Sequence, residues 1–262
     1  MPTPGQATVR CGGNTACVEV RCGSQIIVLD AGTGIRELGL ELEQQGATRI
    51  DLLISHFHMD HLQGFPFFTP SYQPGTQIDV HLASLGAEHP LSEPFDKLME
   101  APHFPVPFQD LAADIRFHEV NGSSQLGAVT VKSHPLHHPG GSTAFRLEYR
   151  GKVLVYLTDH EPYASAQDHP VLEFTRGADL LIREAQYTTA EYTLKHGWGH
   201  STFDAAVCDA IEAGVPSVAL YHHEPQHDDR FLDRELDDLR LRYGSSGLHI
   251  FLAREGECVE LA

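Results

Sequence analysis

Positive charge, patterned cysteine and unbroken apolar sequence are all scarce in this 262-residue chain. Its 18 lysines and arginines face 36 aspartates and glutamates, a formal net charge of −18. Such a surface repels polyanions, which makes nucleic acid an unlikely expected partner, while a small anion can still approach a locally positive site. The five cysteines, Cys11, Cys17, Cys22, Cys208 and Cys258, are odd in number and form no C-x-x-C pair. That excludes a disulfide framework and a zinc ribbon and predicts reduced thiols. No apolar run is long enough to span a bilayer, so no membrane partner is expected. The first five residues lack the basic and apolar regions of a secretory signal, which predicts a cytoplasmic protein. There is no short-period repeat. The glycines after Asp30 lack the third glycine of a dinucleotide fingerprint.

What remains is ordinary globular composition, 41 % hydrophobic and 21 % charged, in a length that one α/β domain over residues 1–262 can hold. Alternating or apolar stretches at 8–20 and 25–30, split by Gly23-Ser24, predict an opening β-hairpin. A helix over 35–45 follows, with Ile35, Leu38 and Leu42 on one face. Asp30 ahead of it reads as a helix-start carboxylate. A short helix is expected over 61–68, a strand over 77–83 and a helix over 92–99. Two strands are expected within 115–132, and a hairpin over 144–157 turns at Arg150-Gly151. A strand over 178–182 precedes a helix over 202–213, with Ser201 as its cap. Residues 217–220, 248–252 and 258–261 read as strands, and 228–242 as an acidic surface helix.

One stretch stands apart. The apolar residues Leu52, Leu53 and Ile54 run without a turn signal into Ser55-His56-Phe57-His58-Met59-Asp60-His61, four potential metal ligands in six positions. Imidazole with carboxylate suits zinc or a neighbouring first-row ion, and one ion rarely takes four ligands from one short loop, so two ions are expected. Other strands also end in titratable groups: His137-His138, Asp159-His160-Glu161, Arg183-Glu184 and His222-His223. Loops on rigid strands can be aimed at one point, so this repetition reads as a site at one edge of a β-scaffold.

The H-x-H-x-D-H stretch at His56, His58, Asp60 and His61 resembles the signature of the metallo-β-lactamase-fold hydrolases, nearest the phosphodiesterase and ribonuclease Z branch. The resemblance implies an α/β fold, a four-layer αββα sandwich, and a metal-dependent hydrolase. It implies two divalent ions, zinc first and manganese or iron after it. His56, His58 and His138 would hold one, Asp60, His61 and His222 the other, with Asp159 bridging; His137 and His223 are the rivals of their neighbours, and Asp30 would steady the His56 loop. Arg183-Glu184-Ala185 and Gly199-His200-Ser201-Thr202 resemble the H-E-A and G-H-S-T elements of that branch. They imply His200 as general acid and Glu184 as its partner, with Asp60 counted on the catalytic side as well.

The expected reaction is hydrolysis of a small phosphodiester, cyclic ones included, by hydroxide shared between the metals. Two alternatives stand beside it: endonucleolytic trimming of RNA 3′ ends, and hydrolysis of an ester, thioester or lactone. Ribonuclease Z relatives carry a basic arm that grips tRNA, and no basic cluster here matches it. A homodimer is implied by the likeness alone; no sequence feature demands one.

Overall fold

The computed structural model describes residues 1–84, 86, 88–162 and 170–261. It divides into two compact units: residues 1–2 with 14–128, and residues 3–13 with 129–262.

In the first unit β1 (Val18–Cys22) and β2 (Gln25–Leu29) form the expected hairpin, followed by α1 (Ile35–Gln44) and β3 (Arg49–Leu53). Next come α2 (Met59–Leu62), β4 (Gln77–Leu82), α3 (Glu93–Leu98), β5 (Asp114–Glu119) and β6 (Ser123–Leu126). The sheet order is β1-β2-β3-β4-β5, antiparallel at β1/β2 and parallel thereafter. Strand periodicity explains its faces. Ile50 and Leu52 of β3 and Ile78, Val80 and Leu82 of β4 are buried in a core with Ile35 and Leu42 of α1. The intervening Asp51, Asp79 and His81 emerge on the other face. Phe65 and Phe68 are core residues with no exposed surface, whereas Phe67 is 55 % exposed.

The second unit carries β7 (Val129–Leu136), β8 (Ser142–Tyr149), β9 (Lys152–Leu157), α4 (Pro170–Thr175), β10 (Leu180–Glu184) and α5 (Thr189–Lys195). It continues with α6 (Phe203–Glu212), β11 (Ser217–Tyr221), α7 (Asp229–Tyr243) and β12 (His249–Leu252). The order β12-β11-β10-β9-β8-β7 is parallel from β9 to β12 and antiparallel across β7, β8 and β9. Among the described residues no helix is long and apolar enough to cross a membrane.

Several local expectations give way. The first strand begins at Val18 rather than at 8, because residues 3–13 belong to the second unit. There the Asp229 carboxylate accepts the backbone N–H groups of Arg10 (2.8 Å) and Cys11 (2.9 Å), and Cys11 joins that unit's core. The α6 cap is Thr202, whose hydroxyl accepts the Ala205 N–H at 3.1 Å. Ser201 is buried one residue earlier and donates its N–H to Glu184 Oε1 at 3.0 Å. Residues 258–260 are exposed and form no strand. α5 was not anticipated, although its capping box, Thr188 with Glu191, is a sequence signal.

Burial acts to raise the Asp229 pKa, but the N–H groups of Cys11 and Arg10 outweigh it and hold the carboxyl below its usual range. The stability it contributes is therefore present above the unfolded carboxylate value, about 3.9, and is lost as pH falls through the depressed folded value. Asp229→Ala should cost about 2 kcal/mol near pH 7, and the gap to wild type should close in strong acid. Urea unfolding curves at neutral and acid pH measure both.

Candidate metal centre

The charged and imidazole groups of each unit gather at the C-terminal ends of its strands. In the first unit β2 delivers Asp30, and β3 delivers Ser55, His56 and His58. Asp30 Oδ1 accepts the Ser55 N–H at 2.7 Å, while Oδ2 accepts the Ser55 hydroxyl and His61 Nδ1, each at 2.8 Å. With its proton on Asp30, the Ser55 oxygen accepts from His56 Nδ1 at 3.0 Å. Both imidazoles thus carry hydrogen on Nδ1 and present the lone pair of Nε2, the form a metal ligand requires. Asp30 is therefore the steadying residue rather than a helix-start carboxylate. His56 and His61 are buried, their rings 4.2 Å apart, and the exposed His58 ring lies 4.6 Å from His56. Asp60 Oδ2 is 4.0 Å from His61 Nε2. Two close approaches hold this loop: a Cβ on Gly64 would meet the Gly32 carbonyl oxygen at 2.0 Å, and one on Gly32 the Asp60 carbonyl at 2.4 Å.

In the second unit β7 leads to His138, β9 to Asp159, β10 ends in Glu184, and β11 leads to His222. Asp159 is 1 % exposed, and its two oxygens face different imidazoles. Oδ2 lies 3.6 Å from His138 Nε2, and Oδ1 lies 3.5 Å from His222 Nε2. These separations are too long for strong hydrogen bonds but close to the spacing of donors around one tetrahedral ion, roughly 3.3 Å for bonds near 2.05 Å. Asp159, His200 and His222 form one group whose donor atoms all lie within 4.8 Å of one another. His138 Nδ1 donates to the Gly199 carbonyl at 2.8 Å, which again turns Nε2 into the available donor. The two rivals also turn Nδ1 towards backbone carbonyls, His137 at 3.3 Å from that of Glu161 and His223 at 3.4 Å from that of Ala185. Burial lowers the His223 pKa to about 4, leaving it neutral. Donors of this kind suit divalent metal ions, and the tautomers in both units fit that use.

His200 Nδ1 sits 3.6 Å from Glu184 Oε1 and 3.9 Å from Asp159 Oδ2. That is close charge without a hydrogen bond, because Glu184 Oε1 accepts the N–H groups of His160 (2.8 Å) and Ser201 (3.0 Å). Arg183 is wholly buried beside Glu184, with Nε 3.2 Å from Asp209 Oδ2.

Glu161 escaped the sequence reading, although it stands in the titratable cluster after β9. Its Oε1 accepts from the Gly197 N–H (2.7 Å) and the Tyr192 hydroxyl (2.9 Å), and its Oε2 from the Gly199 N–H (2.9 Å). Burial alone would raise its pKa; these donors prevail and lower it. Glu161 thereby holds the segment whose Gly199 carbonyl orients His138. Asp30, Asp159 and His222 all have left-handed backbone, φ 63°, 51° and 54°. Non-glycine residues adopt it at a cost of about 1–3 kcal/mol each, a strain that gathers at functional sites.

Histidines with fixed tautomers and a carboxylate between two of them, at the strand ends of a two-sheet α/β fold, form a site that fits a metal-dependent hydrolase. The family model described as "Beta-lactamase superfamily domain" matches residues 25–223, and the chain belongs to that family. A ribonuclease Z of Brevibacillus brevis is 38 % identical over 89 residues, a match covering 34 % of this chain and 26 % of that protein. A ribonuclease Z of Synechococcus sp. (strain WH7803) is 22 % identical over 78 % of this chain and 77 % of that protein.

Two solved structures share the fold. The human tRNase Z, short form, has TM-score 0.68 and 19 % identity over 100 % of this chain and 97 % of that one. A diphosphatase from the PhnP family has TM-score 0.65 and 19 % identity over 95 % of this chain and 85 % of that one. The metallo-β-lactamase fold class read from the sequence therefore stands. The expectation against nucleic acid does not find support: the sequence relatives are ribonucleases by name, and overall charge says little about a surface that acts locally.

A Cβ on Gly199 would lie 2.3 Å from His138 Nδ1 and 2.2 Å from Pro139 Cδ, at a φ of +89°. Gly199→Ala should displace the carbonyl that orients His138 and weaken metal retention about 10–100-fold. Competition against a chelator, followed by metal analysis, measures it.

Proposed function

We propose that the chain is a phosphodiesterase acting on a small phosphodiester, cyclic ones included, and that residues 1–262 work as one hydrolase domain. The observation that carries this reading is His200 between the Glu184 and Asp159 carboxylates. An imidazole with Nδ1 3.6 Å from the Glu184 carboxylate can hand a proton to a leaving alkoxide, a need that mere metal or ligand binding does not have.

His56, His58 and His138 would hold one divalent ion, and Asp60, His61 and His222 the second, with Asp159 shared between them. Zinc is the first candidate, manganese or iron the next. When bound, the ions would supply water acidified towards neutral pH and a clamp on the non-bridging phosphate oxygens. The protein's own groups do the rest. Asp30 and Gly199 fix the imidazole tautomers, Glu184 keeps His200 in place through its grip on the 160 and 201 backbone, and His200 delivers its proton to the departing oxygen. A cytoplasmic setting and a homodimer accompany this reading as expectations.

RNA 3′-end cleavage is the second reading, favoured by the names of the sequence relatives.

A general acid contributes about 10²–10⁴-fold, and least where the leaving group needs no proton. His200→Ala should therefore lose turnover far more on an alkyl or cyclic-nucleotide diester than on bis(p-nitrophenyl) phosphate, with metal content preserved. Equal losses on both would remove the acid role. A precursor tRNA cleaved in preference to every small diester would shift the assignment to the second reading.

A further inference from the structure

The chain has a single tryptophan, Trp198, and leaves 61 % of it exposed. Its backbone is nevertheless held on both sides. The Glu161 carboxylate takes the N–H of Gly197 at 2.7 Å and of Gly199 at 2.9 Å, and the Trp198 N–H donates to the Lys195 carbonyl at 3.1 Å. An exposed indole on a pinned backbone is already ordered, so a ligand that stacks on it meets little entropic cost.

Trp198 also ends a row of groups that starts at His200. The Tyr187 ring meets the His200 imidazole edge-on, centroids 5.9 Å apart at 88°. Lys195 Nζ lies 4.4 Å from the Tyr187 centroid and 5.8 Å from that of Trp198. Glu224 Oε2, 3.1 Å from Lys195 Nζ, balances its charge. If His200 protonates the leaving oxygen, the leaving group departs beside that imidazole, and Trp198, two residues away, has its Cα within about 7 Å of that of His200.

We propose, resting on the phosphodiesterase reading, that Trp198 is a stacking platform for a planar aromatic leaving group and that the preferred substrate is a nucleotide diester whose nucleobase lies on the indole. A flat π-face accepts any base, so the platform selects for a nucleobase without selecting its identity.

The lone tryptophan makes the test direct. Adenosine 5′-monophosphate should quench the protein's intrinsic fluorescence saturably, whereas ribose 5-phosphate, the same anion without the base, should not. Equal responses, or none, would overturn the proposal. In turnover, the ratio of kcat/KM for adenosine 2′,3′-cyclic phosphate over glycerol 1,2-cyclic phosphate should fall about tenfold in Trp198→Ala and be largely kept in Trp198→Phe. A uniform loss on both substrates would make Trp198 merely structural. If the wild-type protein cleaves neither diester, the phosphodiesterase reading fails, and the fluorescence titration alone then decides whether the indole binds a base.

Discussion

The chemistry at the strand ends depends on where each imidazole keeps its proton. A histidine binds metal through a lone pair, and the nitrogen that offers it is chosen by what the other nitrogen touches. In the first unit that choice is made by Asp30, directly for His61 and through Ser55 for His56. In the second it is made for His138 by a backbone carbonyl, that of Gly199. The two solutions differ in kind. A buried carboxylate adds negative charge behind the ligand, while a carbonyl adds only a dipole and needs its own support, which Glu161 supplies through the Gly199 N–H.

The strain at Asp30, Asp159 and His222 is tolerable because rigid structure surrounds it. Each follows directly or one residue after a strand buried in its unit's core: β2, β9 and β11. β9 and β11 flank β10 in parallel register, so Asp159, Glu184 and His222 leave neighbouring strands at one edge. The parallel arrangement aligns strand ends, and the alignment brings Asp159 within 3.5 Å of His222 and 3.6 Å of His138. Strain of a few kcal/mol at Asp159 and His222 is offset by apolar burial of similar size from Leu181, Val218 and Leu220 alone.

Much of this was legible in the sequence where the signal is local. The apolar run into His56, the hairpin turning at Arg150-Gly151, the helix from Ile35 and the acidic helix after Asp228 all follow from periodicity and turn chemistry. The same holds for the observation that strands end in titratable residues. What could not be read depends on partners distant in the chain. The segment at 8–13 has strand-like alternation, yet Asp229 claims its N–H groups. The apparent strand at 258–261 found no neighbour. Ser201 has the chemistry of a helix cap, but Glu184 takes its N–H and the cap moves to Thr202. Glu161 was visible as a carboxylate and invisible as a scaffold, because its ligands are backbone amides more than thirty residues on. His138 over His137 was suggested by likeness alone, and Nδ1 of each meets a backbone carbonyl.

The path of the N-terminal segment has a further consequence. Residues 3–13 lie with the second unit although the whole first unit is threaded between them and the rest of it. The hydrogen bond from Cys11 to Asp229 closes a loop spanning 218 positions. During synthesis residues 3–13 must therefore wait for Asp229 to be made before they are seated. Closing so wide a loop adds little entropy penalty over a shorter one, since the cost grows only with the logarithm of length, but it ties the maturity of the second unit to a residue made long after its first strand-side segment.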